Sequence, residues 1–174
     1  MPQIMIGKGL AFYEEAQALP GVKRVAGMVK QDIELVTGVL PAGITAGQGS
    51  GCAVLYGTIG HSPMLDALEA AGKLDLNAIR GKWECYSFQV IENPLAGIGT
   101  ALVIAGSDKR GTIYGLFHLS ELIGVSPLVN WNHVLPRHQD TVVLDDRVNM
   151  VSRVPSVKYR GFFINDEWPA FGNW

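Results

Sequence analysis

Apolar residues along this chain alternate between short unbroken runs and stripes at helical spacing. The clearest stripe is Val22, Val25, Ala26, Val29, Ile33 and Val36, which share one face if residues 20–37 form a helix. Pro20 suits its first turn and Gly38 its stop. A second helix is predicted over residues 62–71, opened by Ser62-Pro63 and carrying Met64, Leu65 and Leu68. Ser62 can cap amides that a first helical turn leaves unpaired. A third runs through residues 110–122, with Ile113, Leu116, Phe117, Ser120 and Leu122 at core spacing. Between them, residues 3–6, 10–13, 52–56, 83–92, 102–105 and 141–144 read as strands. Gly7-Lys8-Gly9 reads as a hairpin turn joining the first two. Residues 40–51 form a glycine-rich loop, and the chain from 125 to 155 is otherwise irregular.

Strands alternating with helices predict a layered α/β (α+β) domain over residues 1–155. The early hairpin makes the sheet mixed, with four or five strands. Beyond it, residues 159–164 read as one more buried strand, running into Asn165-Asp166-Glu167 and Trp168-Pro169. Acidic residues at the carboxyl end of an apolar strand are where a parallel α/β barrel places its chemistry. Residues 156–174 are therefore expected to open a catalytic barrel with its first strand and loop, truncated there. Neighbours on a strand point to opposite faces, so Asp166 and Glu167 share a substrate only once the strand has ended. Pro169 marks that end.

Composition narrows the classes. The 174 residues are 48% hydrophobic with a net charge of −2, enough for a sizeable core and too little positive charge for a nucleic-acid face. No apolar run approaches the roughly 20 residues of a membrane span. The first residues lack the basic and apolar regions of a signal peptide. Cys52 and Cys85 read as thiols, and His61, His118, His133 and His138 show no ligand spacing with them, so no metal is expected.

Three motifs could carry chemistry. Gly47-Gln48-Gly49-Ser50-Gly51 precedes a strand, whereas a phosphate loop must follow one and open a helix; it reads as a connector. Gly57-Thr58-Ile59-Gly60-His61-Ser62 has the right place but no phosphate-binding lysine and no acidic residue for a ribose, so no cofactor is expected. Residues 106–111 also follow a strand and open a helix, placing Lys109 and Arg110 beside unpaired amides. That arrangement suits a sugar carboxylate. The preferred reading is a helix capped by Ser107 or Asp108, with both basic residues solvated or paired across a domain interface.

The segments 105–115, 119–127, 159–167, 79–84 and 57–63 together resemble glycoside hydrolase family 115. The resemblance implies a parent xylan α-1,2-glucuronidase, an inverting enzyme that removes glucuronic acid or its 4-O-methyl ether, with a small α/β domain ahead of a TIM-type barrel. Its substrates would be glucuronoxylan or aldouronic acids. By position, Asp166 matches an acidic residue of the barrel mouth, with Asn165 and Glu167 beside it, and Glu121 is a weaker candidate. Inverting hydrolysis needs two carboxyls roughly 6.5–9.5 Å apart, so the chain alone is expected to be inactive. The alternative is a freestanding carbohydrate-binding or assembly module without catalysis. The family implies a secreted or periplasmic parent, and homo-oligomerisation stays open.

Overall fold

The computed structural model describes residues 1–132 and 134–163. Its elements in chain order are β1 (Gln3–Gly7), β2 (Leu10–Tyr13), α1 (Pro20–Thr37), β3 (Ala42–Ile44), β4 (Ser50–Thr58), α2 (Pro63–Ala70), β5 (Tyr86–Glu92), β6 (Ile98–Gly106), α3 (Lys109–Leu122), α4 (Val129–Asn132), β7 (Thr141–Asp145), a 3-10 turn (Asp146–Val148) and β8 (Met150–Val151). A six-stranded sheet has the order β3-β2-β4-β6-β5-β8, and β1 pairs with β7 in a separate two-stranded sheet. In the large sheet only β5 runs against the rest.

The alternation of side chains along the central strands divides the core into two halves. Phe12, Val54, Tyr56, Leu102 and Ile104 face α1, α3 and the small sheet. Ala11, Ala53, Leu55, Ala101 and Val103 face α2 and Leu74, Leu76 and Ile79 beyond it. This is the two-sided coverage that parallel strands require. The result is three layers, with helices on both faces of a mixed sheet.

The three helices stand where their stripes place them. Ser62 caps α2 by accepting from the Leu65 amide, and Gly38 ends α1 in the left-handed conformation. The expected hairpin is absent. β1 pairs antiparallel with β7, while β2 inserts in parallel between β3 and β4. The physical reason lies in their burial: Leu10, Ala11 and Phe12 are buried in succession, whereas on β1 the exposed Gln3 and Met5 alternate with the buried Ile4 and Ile6. A strand covered on both faces belongs inside a sheet, so residues 7–9 carry the chain from one layer to another. The sheet is mixed because of β5 instead. It counts six strands because two very short edge strands, β3 and β8, escaped a periodicity reading.

The 83–92 run begins as a strand only at Tyr86, because Glu84 takes a positive φ of 54°. Cys52 and Cys85 are free thiols. No helix among the described residues is long and apolar enough to cross a membrane. Residues 159–163 carry no regular secondary structure, and Phe162 and Phe163 are 99% and 93% exposed. The rest of the expected barrel strand and its loop lies outside the described residues.

Candidate functional site

Two strand-to-helix turns and one groove collect the polar chemistry of the domain. At the first turn, β4 leads into α2 across residues 57–62, beside the carboxyl end of β2. The chain after β2 leaves to one face of the sheet and the chain after β4 to the other, which is where open α/β sheets form ligand crevices. Here the protein fills the crevice itself. Glu15, just beyond β2, accepts a hydrogen bond from the Met64 amide at 2.9 Å and a short one from the Ser62 hydroxyl. Its carboxylate occupies the positive end of α2 where a phosphate would sit. Gly57 is required by this closeness, since a Cβ there would stand 2.4 Å from Ser62 Oγ. Burial, then the charges of Glu14 and Glu15, push the nearby Tyr56 hydroxyl up to about 12.

The second turn joins β6 to α3 through residues 106–111. Asp108 caps the helix with both carboxylate oxygens engaged. Oδ1 accepts from the Gly111 amide at 2.8 Å, and Oδ2 accepts from the Glu84 amide at 2.8 Å. Ser107 ties the same stretch to Cys85, accepting from its amide and donating to its carbonyl. The neighbouring backbone leaves no room at Gly111, where a Cβ would lie 2.0 Å from the Cys85 carbonyl oxygen. These bonds hold Glu84 in its left-handed conformation, which costs a non-glycine residue about 1–2 kcal/mol.

Held that way, the Glu84 side chain is only 6% exposed and meets two guanidiniums. Arg110 Nη1 donates to Oε1 at 2.7 Å, and Arg160 Nη2 donates to Oε2. Arg110, then Arg160, hold the carboxyl below the usual range. Arg160 also lies over the Trp83 ring at 5.7 Å and the Tyr114 ring at 6.0 Å, and donates to the Val157 carbonyl. The triad carries one surplus positive charge, and it pins the 157–160 segment to the domain.

Of the residues chosen from sequence, Arg110 therefore sits in an ion-pair cluster at a capped helix start. Lys109 is exposed beside it, its stem against Gly21 of α1. Glu121 lies 11 positions further along α3, roughly 16 Å by helical rise, and does not join them. Its carboxylate stands 3.6 Å from His118 Nδ1. Asn165, Asp166 and Glu167 lie outside the described residues. Sequence reasoning did not single out Glu84 or Arg160. Yet segments 79–84, 105–115 and 159–167, quoted for the family resemblance, each contribute one member of the triad.

A groove of about 760 Å³ is lined by α1 and α3, by Val125, Pro127 and Val129, and by Tyr86, which lies 5.8 Å from His118. At its base Ser120 donates to Asp32 Oδ2 at 2.6 Å, while burial pushes the Asp32 carboxyl up. His118 packs edge-on against Phe88 at 5.1 Å. Among the described residues no three His, Cys, Asp or Glu side chains converge as a metal site.

Three-layer packing, helix starts filled by the chain's own carboxylates and an arginine-clamped segment at residues 157–160 characterise the domain. The chain is similar, at 32% identity and a TM-score of 0.74, to the structure of BtGH115A, a family GH115 4-O-methyl-α-glucuronidase with specificity for decorated arabinogalactans. The match covers 94% of this chain and 20% of that one, so the resemblance to glycoside hydrolase family 115 holds in the fold as well as in the motifs. No family model matches the chain, and no curated protein does.

Proposed function

We propose that this chain forms the α/β domain that precedes the catalytic barrel of a glycoside hydrolase acting on a polysaccharide decorated with glucuronic acid or its 4-O-methyl ether. The observation that carries the reading is the arginine triad. Residues from three family-like segments meet at Glu84, and one of them, Arg160, belongs to the stretch that leads toward Asp166. The domain would then act by fixing the entry of the first barrel strand, with Asp166 at the barrel mouth and Asn165 and Glu167 beside it. Hydrolysis with inversion needs an acid for the leaving oxygen and a base for the attacking water on opposite sugar faces. Neighbouring residues on one short segment do not span that distance. The partner carboxyl therefore comes from another barrel strand, and residues 1–174 alone are inactive.

The specificity of the similar enzyme for decorated arabinogalactans broadens the proposed substrate beyond xylan to polymers of that type. The test is release of uronic acid from glucuronoxylan and from uronate-decorated arabinogalactan, measured for residues 1–174 and for the same chain joined to its downstream coding sequence. Release by the joined protein only is expected. Release by residues 1–174 alone would overturn the assignment of the missing carboxyl, and release by neither would overturn the glycosidase reading.

A further inference from the structure

The α1–α3 groove presents two stripes of the same spacing, each only partly engaged by the core. On α1, Met28, Gln31, Asp32 and Leu35 follow one another at i, i+3, i+4 and i+7; on α3, Tyr114, Phe117, His118 and Glu121 repeat that spacing. Such residues stack along one line of a helix. On α1 the apolar Met28 and Leu35 flank Gln31 and Asp32, whereas on α3 Tyr114 and Phe117 give way to Glu121, and Tyr86 adds a further aromatic surface beside His118. Met28, Leu35, Tyr114 and Phe117 are each more than a third exposed, so the apolar parts are presented rather than buried.

We infer that this groove is a binding site for an uncharged oligosaccharide segment, the neutral backbone of a glycan. The inference rests on the polysaccharide-directed reading above. Its volume of about 760 Å³ falls within the roughly 300–1,000 Å³ of small-molecule sites. Exposed aromatic and methionine surfaces suit the C–H faces of sugar rings. Two of its polar groups are carboxylates: Asp32 accepts from Ser120 through one oxygen and has the other left for a ligand, and Glu121 stands on α3 beside His118, while Gln31 and Asn130 can both donate and accept. Sugar hydroxyls are donors, and a hydroxyl donated to a carboxylate is among the stronger neutral-ligand contacts. Charge selects against the uronate itself. Asp32 and Glu121 line the groove and no lysine or arginine does, so an anionic sugar meets like charges in a partly desolvated site. The surplus positive charge lies at the Glu84 cluster, whose Arg160 donates to the Tyr114 hydroxyl at 3.3 Å and so abuts one end of the groove without lining it.

The experiment is amide NMR of the 174-residue chain, titrated at millimolar concentration with neutral xylo- and galacto-oligosaccharides and, separately, with their glucuronate-bearing counterparts. Shifts confined to residues 28–35, 86 and 114–121 are expected with a neutral oligosaccharide, at least about tenfold weaker binding in Asp32→Asn, and loss of the shifts in Phe117→Ala, whose folded spectrum is otherwise retained. Absence of shifts, shifts elsewhere, or equal binding of the uronate-bearing sugars would overturn the inference. Because the readout is binding and not turnover, an active joined enzyme with a silent groove would sink this inference while leaving the proposed function standing.

Discussion

The two strand-to-helix turns share a local pattern: a buried parallel strand, a glycine at its end, a short polar link and a capped helix. They differ in what fills the positive helix start. At α2 the occupant is Glu15, delivered from another strand 47 residues away from Ser62. At α3 it is Asp108, delivered locally, and the remote carboxylate, Glu84, is spent on two arginines instead. The lesson is that a glycine-shaped turn after a strand is not evidence for a phosphate. Each helix start has been satisfied by a carboxylate of the chain, and the second turn has become a holding point for residues 157–160.

The comparison breaks hardest at the glycines. Gly111→Ala drives a Cβ into the Cys85 carbonyl, a backbone atom at 2.0 Å that cannot rotate away. A loss of about 3 kcal/mol is expected, the upper end of overpacking penalties, read as a lower denaturant midpoint. Gly57→Ala meets chiefly the Ser62 side chain, which can turn at the expense of its cap, so it should be the milder of the two. Equal costs would mean that the two turns are packed alike.

Next in size is the loss of a cap. Ser62→Ala removes the cap of α2 and the hydroxyl that Glu15 accepts from, with an expected loss of about 1–2 kcal/mol. Asp108→Asn keeps one oxygen acceptor and should cost less at α3, unless the Glu84 amide needs the second. Chemical denaturation of both variants ranks them, and the reverse order would show that α3 depends on its charge more than α2 depends on its hydroxyl.

The third test uses pH. Glu84 has a folded pKa below its unfolded one, so the folded state binds fewer protons between the two values. Its stabilisation is fully present above the ordinary carboxylate range and is lost as pH falls through the depressed folded value. Melting temperature against pH should therefore drop on the acid side, and Glu84→Gln should flatten that limb while freeing Arg160. Arg110→Ala should flatten it only in part, because Arg160 still holds the other oxygen. An unchanged acid limb in Glu84→Gln would remove the triad from the energetics of the fold.

Much of this was legible in the sequence, and the misses have a common cause. Helical stripes and caps are local, so α1, α2 and α3 could be read nearly to their ends, as could the Asp108 cap among its alternatives. Pairing is not local. Nothing adjacent to Gly7-Lys8-Gly9 says that β1 belongs with Thr141–Asp145, and only the unbroken burial of Leu10, Ala11 and Phe12 hints that β2 is central. The triad failed for the same reason: Glu84, Arg110 and Arg160 are far apart in the chain, and Glu84 was hidden in a run that reads as strand until its left-handed backbone is seen. Family-like segments did flag all three stretches, without saying that their charged residues meet.

Asp32 offers the smallest effect and the cleanest contrast with Glu84. Both are carboxylates engaged by hydrogen bonds, but burial dominates at Asp32 and raises its pKa, with only the Ser120 hydroxyl opposing. The folded state then binds more protons than the unfolded one between the ordinary aspartate value and the raised one, so stability falls as pH rises through that window and levels off above it. Asp32→Asn should remove this shallow slope and leave the chain no less stable at neutral pH, since the amide oxygen can still accept from Ser120. The slope is small because half-exposed groups are screened by water. Melting curves of the wild-type chain and Asp32→Asn across the acid range decide it. A slope of the Glu84 sign at Asp32 would mean that an unrecognised donor or cation stabilises the charged form, and the groove would then be open to anionic sugars after all.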